Sequence, residues 1–370
     1  MRIIYYVDTR NSENWGGQAT SYGMMHLVNT SYPDADFIPT KLGELPLKNA
    51  TFLRKIANWM VYFCVKRNHL GLLKRVLHWY GVDKDIYNKF DVVCFNGEGA
   101  IHEKSGHFFR LLGSLYAFKL SGLRVYALNQ TVDVRPNSLH AKLIQLVYPK
   151  MDRVSVREPI SQRTLKSIGI DSELIGDAAY ALPRLSNEDR DMLASSFNLK
   201  IPFIAVTASS AMERNKASVN KIDELIQAVS GLDRSIVFLA NTKTDLYIAK
   251  KLSSKYKFKI ISYTDALYKE AISIISKADL VVGGRQHPNI FAAKYGVPFI
   301  GLDGNTHKMS GVTELLNYPV PVLTWSFEKE TLRAIAEKIL QGQIDFSNVT
   351  VPQITSIDLG PNDPKARHRD

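Results

Sequence analysis

The stretch from residue 278 to residue 311, ADLVVGGRQHPNIFAAKYGVPFIGLDGNTHKMSG, decides the fold. Leu280–Val282 is a short, fully apolar, β-branched run of the kind buried on both faces of a parallel sheet. Gly283 and Gly284 end it, and Pro288 stands where a first helical position is expected, a place proline favours. An apolar helical segment follows, and Phe299–Leu302 reads as the next strand. Strand, helix and strand within so few residues form one βαβ unit.

The same alternation runs through most of the chain. Strands are expected at Ile3–Val7, Val92–Asn96, Val125–Asn129, Val154–Val156 and Glu173–Ile175, and then at Phe203–Thr207, Ile236–Ala240 and Lys259–Ser262. The 370 residues, at about 150 per domain, allow two to three domains. The expected architecture is α/β, with two Rossmann-like domains facing across a cleft. Residues 1–185 form the N-terminal domain and 186–350 the C-terminal one, with Ala181–Lys200 as a charge-rich connection. Glu328–Gln341 reads as a terminal helix, and 351–370, with its prolines, as an extended or disordered tail.

Composition excludes several classes. Only Cys64 and Cys94 occur, too few for a disulfide framework or a cysteine zinc site. Hydrophobic residues at 45% and charged residues at 22% are ordinary globular usage. The N-terminus lacks a secretory pattern, and the longest uncharged apolar run, Ile56–Val65, is half of the roughly 20 residues that span a bilayer. A cytoplasmic protein is expected, peripheral at the inner face of the plasma membrane if it meets lipid at all.

The net charge of +11 favours an anionic partner. Much of it gathers between Lys48 and Arg75, where Lys48, Arg54, Lys55, Lys66, Arg67, Lys74 and Arg75 occur and no acid lies between Glu44 and Asp83. Ile56, Trp59, Met60, Phe63 and Cys64 repeat there at helical spacing, so 48–80 reads as a basic helical insertion. Such a helix can lie on an anionic membrane, or it can pack on the N-terminal domain with its charges merely solvated. Nucleic acid is not expected, because the charge does not interleave with stacking aromatics and no recognised module spacing occurs.

Ligands of open α/β sheets bind beyond the carboxyl ends of the strands. After the first strand come Asn14, Trp15, Gly16 and Gly17, whose glycines admit close backbone approach before a helix N-terminus. After the second comes Asn96-Gly97-Glu98-Gly99, then His102, expected as a tight turn into a helix; its glycines fall short of a dinucleotide fingerprint. Asn129 and Gln130 follow the third. In the stretch that opened this reading, Arg285 can fork onto a carboxylate or phosphate. His287 at a helix N-terminus can trade a proton near neutral pH, and Lys308 adds a third cation. His102-Glu103-x-x-x-His107 has one residue too many for the HExxH zinc spacing, so no metal is expected.

These segments resemble the polysaccharide pyruvyl transferase family. Arg285, His287, Gly296-Val297-Pro298, Lys308 and Gly311 follow its C-terminal signature, and Asn14-Trp15-Gly16 is similar to its N-terminal turn. Arg157, Glu158, Ser161, Leu165, Gly169 and Asp177 follow a third segment, although Ala178 replaces its usual proline, and Glu98 interrupts a commoner triple glycine. The resemblance implies a GT-B-like fold and transfer of a pyruvyl group from phosphoenolpyruvate to paired hydroxyls of a sugar, in a cell-surface polysaccharide or a lipid-linked precursor. It implies Arg285, Lys308 and Arg157 as donor-binding, His287 as general acid/base and Glu98 as its catalytic partner. Asn14, Trp15, Gly16, Gly17, His102, Asn129 and Gln130 are then acceptor-binding, and no cofactor beyond the co-substrate is required. Asp177 reads more simply as a capping or hydrogen-bonding residue at the domain junction. A glycosyltransferase of the same fold, using a nucleotide sugar, is the alternative, with Asn241, Tyr263 and Asp265 on the nucleotide and Arg285 with Lys308 on the pyrophosphate.

Overall fold

A computed structural model describes residues 1–40 and 51–360. The chain divides into two compact units, the first comprising Met1–Thr9, Gly23–Ala181 and the segment from Ile354, the second Arg10–Tyr22 and Leu182–Gln353. The first contains β1 (Arg2–Tyr6), β2 (Asp36–Thr40), β3 (Val92–His102), β4 (Arg124–Asp133), β5 (Arg153–Val156) and β6 (Glu173–Leu174) in one sheet, ordered β2-β1-β3-β4-β5-β6. The second contains β7 (Phe203–Ser209), β8 (Ser235–Ala240), β9 (Lys259–Ser262), β10 (Leu280–Gly284) and β11 (Phe299–Gly301), ordered β11-β10-β7-β8-β9. Every strand pair is parallel. The fold is therefore α/β with two Rossmann-like units.

The expected strands are all present, and β2 is an addition. Its sequence, DFIPT, contains Pro39, which lacks the N–H that an inner strand must donate. The sheet tolerates Pro39 because β2 pairs only with β1, at the edge. Other strands outrun their expected ends, β3 and β4 the furthest. Asn96-Gly97-Glu98-Gly99 is not a turn into a helix: β3 continues through it to His102, paired with a β4 that itself runs to Asp133, with a register irregularity between Glu98 and Ile101.

Helices α1 (Trp15–Ser31), α2 (Thr51–Lys66), α3 (Leu70–Trp79), α4 (Phe108–Leu120), α5 (Leu139–Val147) and α6 (Pro159–Ser167) precede the second series of strands. The expected connection at 181–200 contains α7 (Asn187–Ser195) and belongs to the second unit. There α8 (Lys216–Val229), α9 (Lys243–Tyr256), α10 (Tyr268–Ile275), α11 (Gln286–Lys294), α12 (Lys308–Leu315) and α13 (Lys329–Leu340) alternate with the strands. In α13 Leu332, Ala336 and Ile339 are buried at the spacing of one helical face. Residues 351–360 have no regular structure, yet Ile357 and Leu359 are buried against Tyr5, Val92 and Tyr126 of the first unit, and Leu359 N–H donates to the Tyr32 hydroxyl at 2.6 Å. The last described residues thus join the first unit rather than forming a separate tail; 361–370 lie outside the described residues.

α2 and α3 form the expected helical insertion. Ala57, Val61, Cys64 and Val65 of α2 and Leu73, Val76 and Leu77 of α3 are buried in the core of the first unit. Of the apolar residues read at helical spacing, Cys64 alone is buried; Ile56, Trp59, Met60 and Phe63 are exposed. The helix carries two apolar stripes, one packed and one open. Lys48 lies outside the described residues.

Leu359→Ala deletes a fully buried side chain and leaves a cavity, so it lowers the stability of the first unit by about 2–4 kcal/mol. Denaturant unfolding checks this; an unchanged midpoint would mean that the return of the chain contributes nothing to that core.

Candidate functional site

In the second unit the carboxyl edge of the sheet gathers the turns after β7, β8, β10 and β11. Gly283 and Gly284 close β10 tightly against β7: a Cβ on Gly284 would fall 2.7 Å from the Ser209 side chain and 2.9 Å from the Asp303 carbonyl. α11 begins at once, at Gln286, with Arg285 at its cap position. Pro288 therefore lies inside the first turn rather than at its first position, still where an N–H needs no helical partner. His287 is thus fixed in the first turn, where the helix's N–H groups and dipole favour an anion.

By sequence the Asn14–Gly17 turn falls within the expected N-terminal domain, 1–185; the structure puts it in the second unit. Asn14 Oδ1 accepts the Gly16 N–H at 2.8 Å, a helix cap for α1, and the Asn241 amide at 3.1 Å, while Asn241 Oδ1 accepts the Trp15 N–H at 3.0 Å. Trp15 is fully buried and its indole donates to the Ala266 carbonyl at 2.7 Å. It is an anchor with no surface left for an acceptor. Gln18 completes the tie by accepting the Tyr268 N–H at 3.0 Å.

The purpose of this anchoring is visible at Gly16. A Cβ there would overlap the His287 ring, with Nδ1, Cγ and Cε1 all inside 2.6 Å. No residue but glycine lets the imidazole keep its place. Gly17 continues the same helical turn, where the Thr20 hydroxyl donates to its carbonyl at 3.2 Å.

Arg285 and Lys308 share that edge but face different neighbours. Arg285 donates from Nε and Nη2 to the fully buried Asp245 (3.0 and 2.5 Å) and from Nη2 to Thr242 Oγ1 at 2.9 Å. Its remaining terminal nitrogen, Nη1, is the one not engaged by these two residues. Lys308 Nζ lies 3.0 Å from Asn305 Oδ1, which also accepts the Ser210 hydroxyl at 2.9 Å. Among the described residues, the buried atoms Thr207 Oγ1, Gln286 Nε2, Asn289 Oδ1 and Thr306 Oγ1, all in or next to these same turns, lack a hydrogen-bond partner. Buried polar groups are normally paired, so these turns are the candidate place for a polar ligand.

The first unit has its own polar line, just beyond β1 and within β3 and β4. Val7 just beyond β1 (φ 76°), Glu98 in β3 (φ 41°) and Asn129 in β4 (φ 49°) are left-handed. The register sets them at nearly one level, since Tyr6 pairs with Phe95 and Glu98 with Gln130. Such backbone costs about 1–3 kcal/mol per residue and concentrates at functional sites. Hydrogen bonds hold it: Glu98 Oε1 accepts from Thr9 Oγ1 (2.5 Å) and Asn96 Nδ2 (3.1 Å), Asn96 Oδ1 accepts from Asn129 Nδ2 (2.8 Å), and Asn129 Oδ1 accepts the Ala178 N–H (2.9 Å). Glu98 and His102 are half-buried rather than buried.

Three expected ligand residues of this unit have other work. Arg157 is buried and donates to Asp177 at 2.8 Å and Thr131 at 2.9 Å. Asp177 also accepts the Ala179 N–H, the hydrogen-bonding role read for it in the sequence. Gln130 is fully buried and accepts the Tyr148 hydroxyl at 2.6 Å. Asn129, at 4% exposure, spends its amide inside the polar line. His107 accepts the Arg110 guanidinium at 2.8 Å, and burial with that neighbour pushes its pKa down to about 4. Sequence reasoning missed Thr9, Thr242, Asp245, Ser210 and Asn305; their only signal was a position just beyond a strand.

Gly16→Ala should keep the fold but displace the imidazole, seen as a shifted His287 ring resonance in NMR; an unmoved resonance would contradict the packing. Asp177→Ala leaves the Arg157 charge buried and should cost about 3–5 kcal/mol in denaturant unfolding, and a cost below 1 kcal/mol would deny the pair that role.

Among solved structures the chain is similar to UDP-GlcNAc 2-epimerase from Methanocaldococcus jannaschii in complex with UDP-GlcNAc and UDP, with 15% identity, a TM-score of 0.59 and 95% of each chain covered. It is also similar to the Neisseria meningitidis UDP-GlcNAc 2-epimerase bound to UDP-GlcNAc (14%, TM-score 0.54, 95% of each chain). A third is Anabaena Alr3699/HepE in complex with UDP-glucose (13%, TM-score 0.54, covering 94% of this chain and 92% of that one). At these identities the likeness speaks for the fold, the GT-B-like pairing of two Rossmann-like units. No curated protein matches in sequence. The family model for polysaccharide pyruvyl transferase matches residues 14–306, from the Asn14 cap through Gly16, Arg285 and His287 to the turn after β11, and the chain belongs to that family of transferases.

Proposed function

We propose that the protein transfers the pyruvyl unit of phosphoenolpyruvate to two hydroxyls of a saccharide, forming a cyclic ketal and releasing phosphate. The observation that carries this reading is the His287 imidazole held against Gly16 at an edge that also bears Arg285 and Lys308; Gly16, Arg285 and His287 lie within the segment matching the family, and Lys308 lies just beyond it. The donor is a phosphate and a carboxylate on a three-carbon enol, so cations and helix N–H groups are what it needs. Lys308 and Arg285 Nη1 are assigned to its anionic groups. Arg285 is pre-oriented by Asp245, which fixes its fork at the cost of two of its donors. Arg157 is left out of donor binding, since its guanidinium is buried with Asp177.

Protonation of the methylene carbon makes it a methyl group and leaves an oxocarbenium centre at C2. One sugar hydroxyl adds there, the C–O bond to phosphate breaks, and the second hydroxyl adds. Of the two hydroxyl protons, one replaces that given to the methyl group and the other leaves with phosphate. His287 is assigned as the group that gives and recovers the proton. In the first unit Glu98, held by Thr9 and Asn96, is assigned to the saccharide as hydroxyl base or orienting group, and His102, four residues on in the same strand, to a more distant part of it. The chemistry balances without a metal or a further cofactor. The saccharide is assigned to a surface polysaccharide or its lipid-linked precursor, handled at the inner face of the plasma membrane. In support of that last part, α2 turns apolar side chains to the outside, though no helix among the described residues is long and apolar enough to cross a membrane.

A nucleotide-sugar glycosyltransferase is the second reading, favoured because similar folds were solved holding UDP-sugars. Against it, two residues suited to the nucleotide are engaged within the unit: Asn241 with Asn14 and Trp15, and Asp265 with the Ser262 N–H at 2.8 Å.

Incubation with a cell-surface saccharide and either phosphoenolpyruvate or a UDP-sugar separates the readings. Release of inorganic phosphate with a ketal methyl signal in the product is expected; release of UDP instead would overturn the assignment. His287→Asn should lower the rate by about 10²–10⁴-fold with the fold intact, and full activity would remove the imidazole from the chemistry.

A further inference from the structure

The open stripe of α2 is unlike the surface of an ordinary soluble unit. Phe52 is 72% exposed, Trp59 61% and Phe63 48%, and with Ile56 and Met60 they line one helix face; Leu72 of α3 extends it. These side chains border a shallow apolar groove of about 590 Å³. Single exposed apolar residues need no explanation, but a contiguous set of this kind marks an interaction surface.

Its rim is cationic. Lys55, Lys66, Arg67 and Arg75 are exposed, and among the described residues none of them forms an ion pair. Lys74 is not part of the rim: its ammonium sits over the Tyr87 ring at 4.6 Å. A second groove, of about 620 Å³, adjoins the first and shares Lys55 and Trp59 with it. Arg54, Asn58, Lys104 and His140 contribute its polar and cationic lining, together with Glu103, whose carboxylate is paired with Arg135 at 2.8 Å.

We propose that α2 and α3 dock the first unit on the anionic leaflet of a bilayer, with Trp59, Phe63 and Phe52 at acyl depth and a lipid phosphate in the groove of Arg54, Lys55 and Lys104. The inference goes beyond the proposed reaction and does not depend on which donor is used. Aromatic and aliphatic side chains beside lysine and arginine are the composition of an interfacial helix. A second copy of this chain is a poor occupant, because a two-fold contact would press two basic rims together. No acid lies between Glu44 and Asp83, and Glu103 at the second groove is already paired with Arg135, so the attraction to an anionic surface meets little local repulsion.

Co-sedimentation of the full chain with vesicles tests this, using phosphatidylglycerol mixed with phosphatidylcholine against phosphatidylcholine alone. Binding to the anionic vesicles is expected to exceed binding to the neutral ones by tenfold or more, and to weaken as salt rises. Lys66→Glu with Arg67→Glu should reduce affinity by about 25-fold or more, at roughly fivefold per basic residue lost. Trp59→Ser with Phe63→Ser should abolish retention; both pairs are exposed, and unchanged thermal unfolding would confirm the fold. Equal binding to neutral vesicles, no binding, or retention unaffected by either pair would overturn the proposal. So would a dimer that dissociates in the Trp59→Ser, Phe63→Ser protein, which would give the face to a second copy.

Discussion

The constraint on which the second unit depends is the contact between a glycine and an imidazole. His287 stands where the Cβ of any other residue at position 16 would be. Such a contact needs both partners fixed, and the structure fixes each independently. α11 begins directly after Gly284, so His287 has no slack along the chain. Gly16 is held by the Asn14 cap, the Asn14–Asn241 amide pair, the buried Trp15 and the Gln18–Tyr268 bond. Each polar link contributes about 1 kcal/mol, and the fully buried indole adds several more. An imidazole positioned this way keeps one ring orientation.

The first unit uses strain where the second uses packing. Val7, Glu98 and Asn129 hold left-handed backbone on three neighbouring strands, and Glu98 stays there because Thr9 and Asn96 bind its carboxylate. Asparagine adopts this conformation readily, whereas a β-branched valine does not. The valine is retained with its own N–H and that of Asp8 both donating to the Thr40 carbonyl of the added edge strand. The edge strand β2 therefore supports the geometry at the end of β1.

The β-rich runs and their spacing made the parallel sheets legible, because a strand buried on both faces has no room for polar residues. The same rule misled at β3 and β4. Asn96, Gln130 and Thr131 are polar yet buried within strands, since they bond to one another's neighbours rather than to water. Pro39 hid β2, as it would not have hidden in an inner strand. Asn14–Gly17 follows β1 in the chain and was read with it, but spatial membership was decided by Asn241, Ala266 and Tyr268, more than two hundred residues later. Arg285, His287 and Lys308 were legible as chemistry; that Asp245 already holds two of the arginine's nitrogens was not. In α2, periodicity reported one apolar face where two exist, because burial of Ala57, Val61 and Val65 left the larger side chains outside.

The central claim is that this anchored edge of the second unit receives the donor. The most direct measurement is a crystal structure of the protein with phosphoenolpyruvate bound. The account predicts the phosphate and carboxylate beside Lys308, Arg285 Nη1 and the first turn of α11, with the His287 ring next to the methylene carbon. Phosphoenolpyruvate bound elsewhere, with the His287 ring unoccupied and remote from it, would contradict the account.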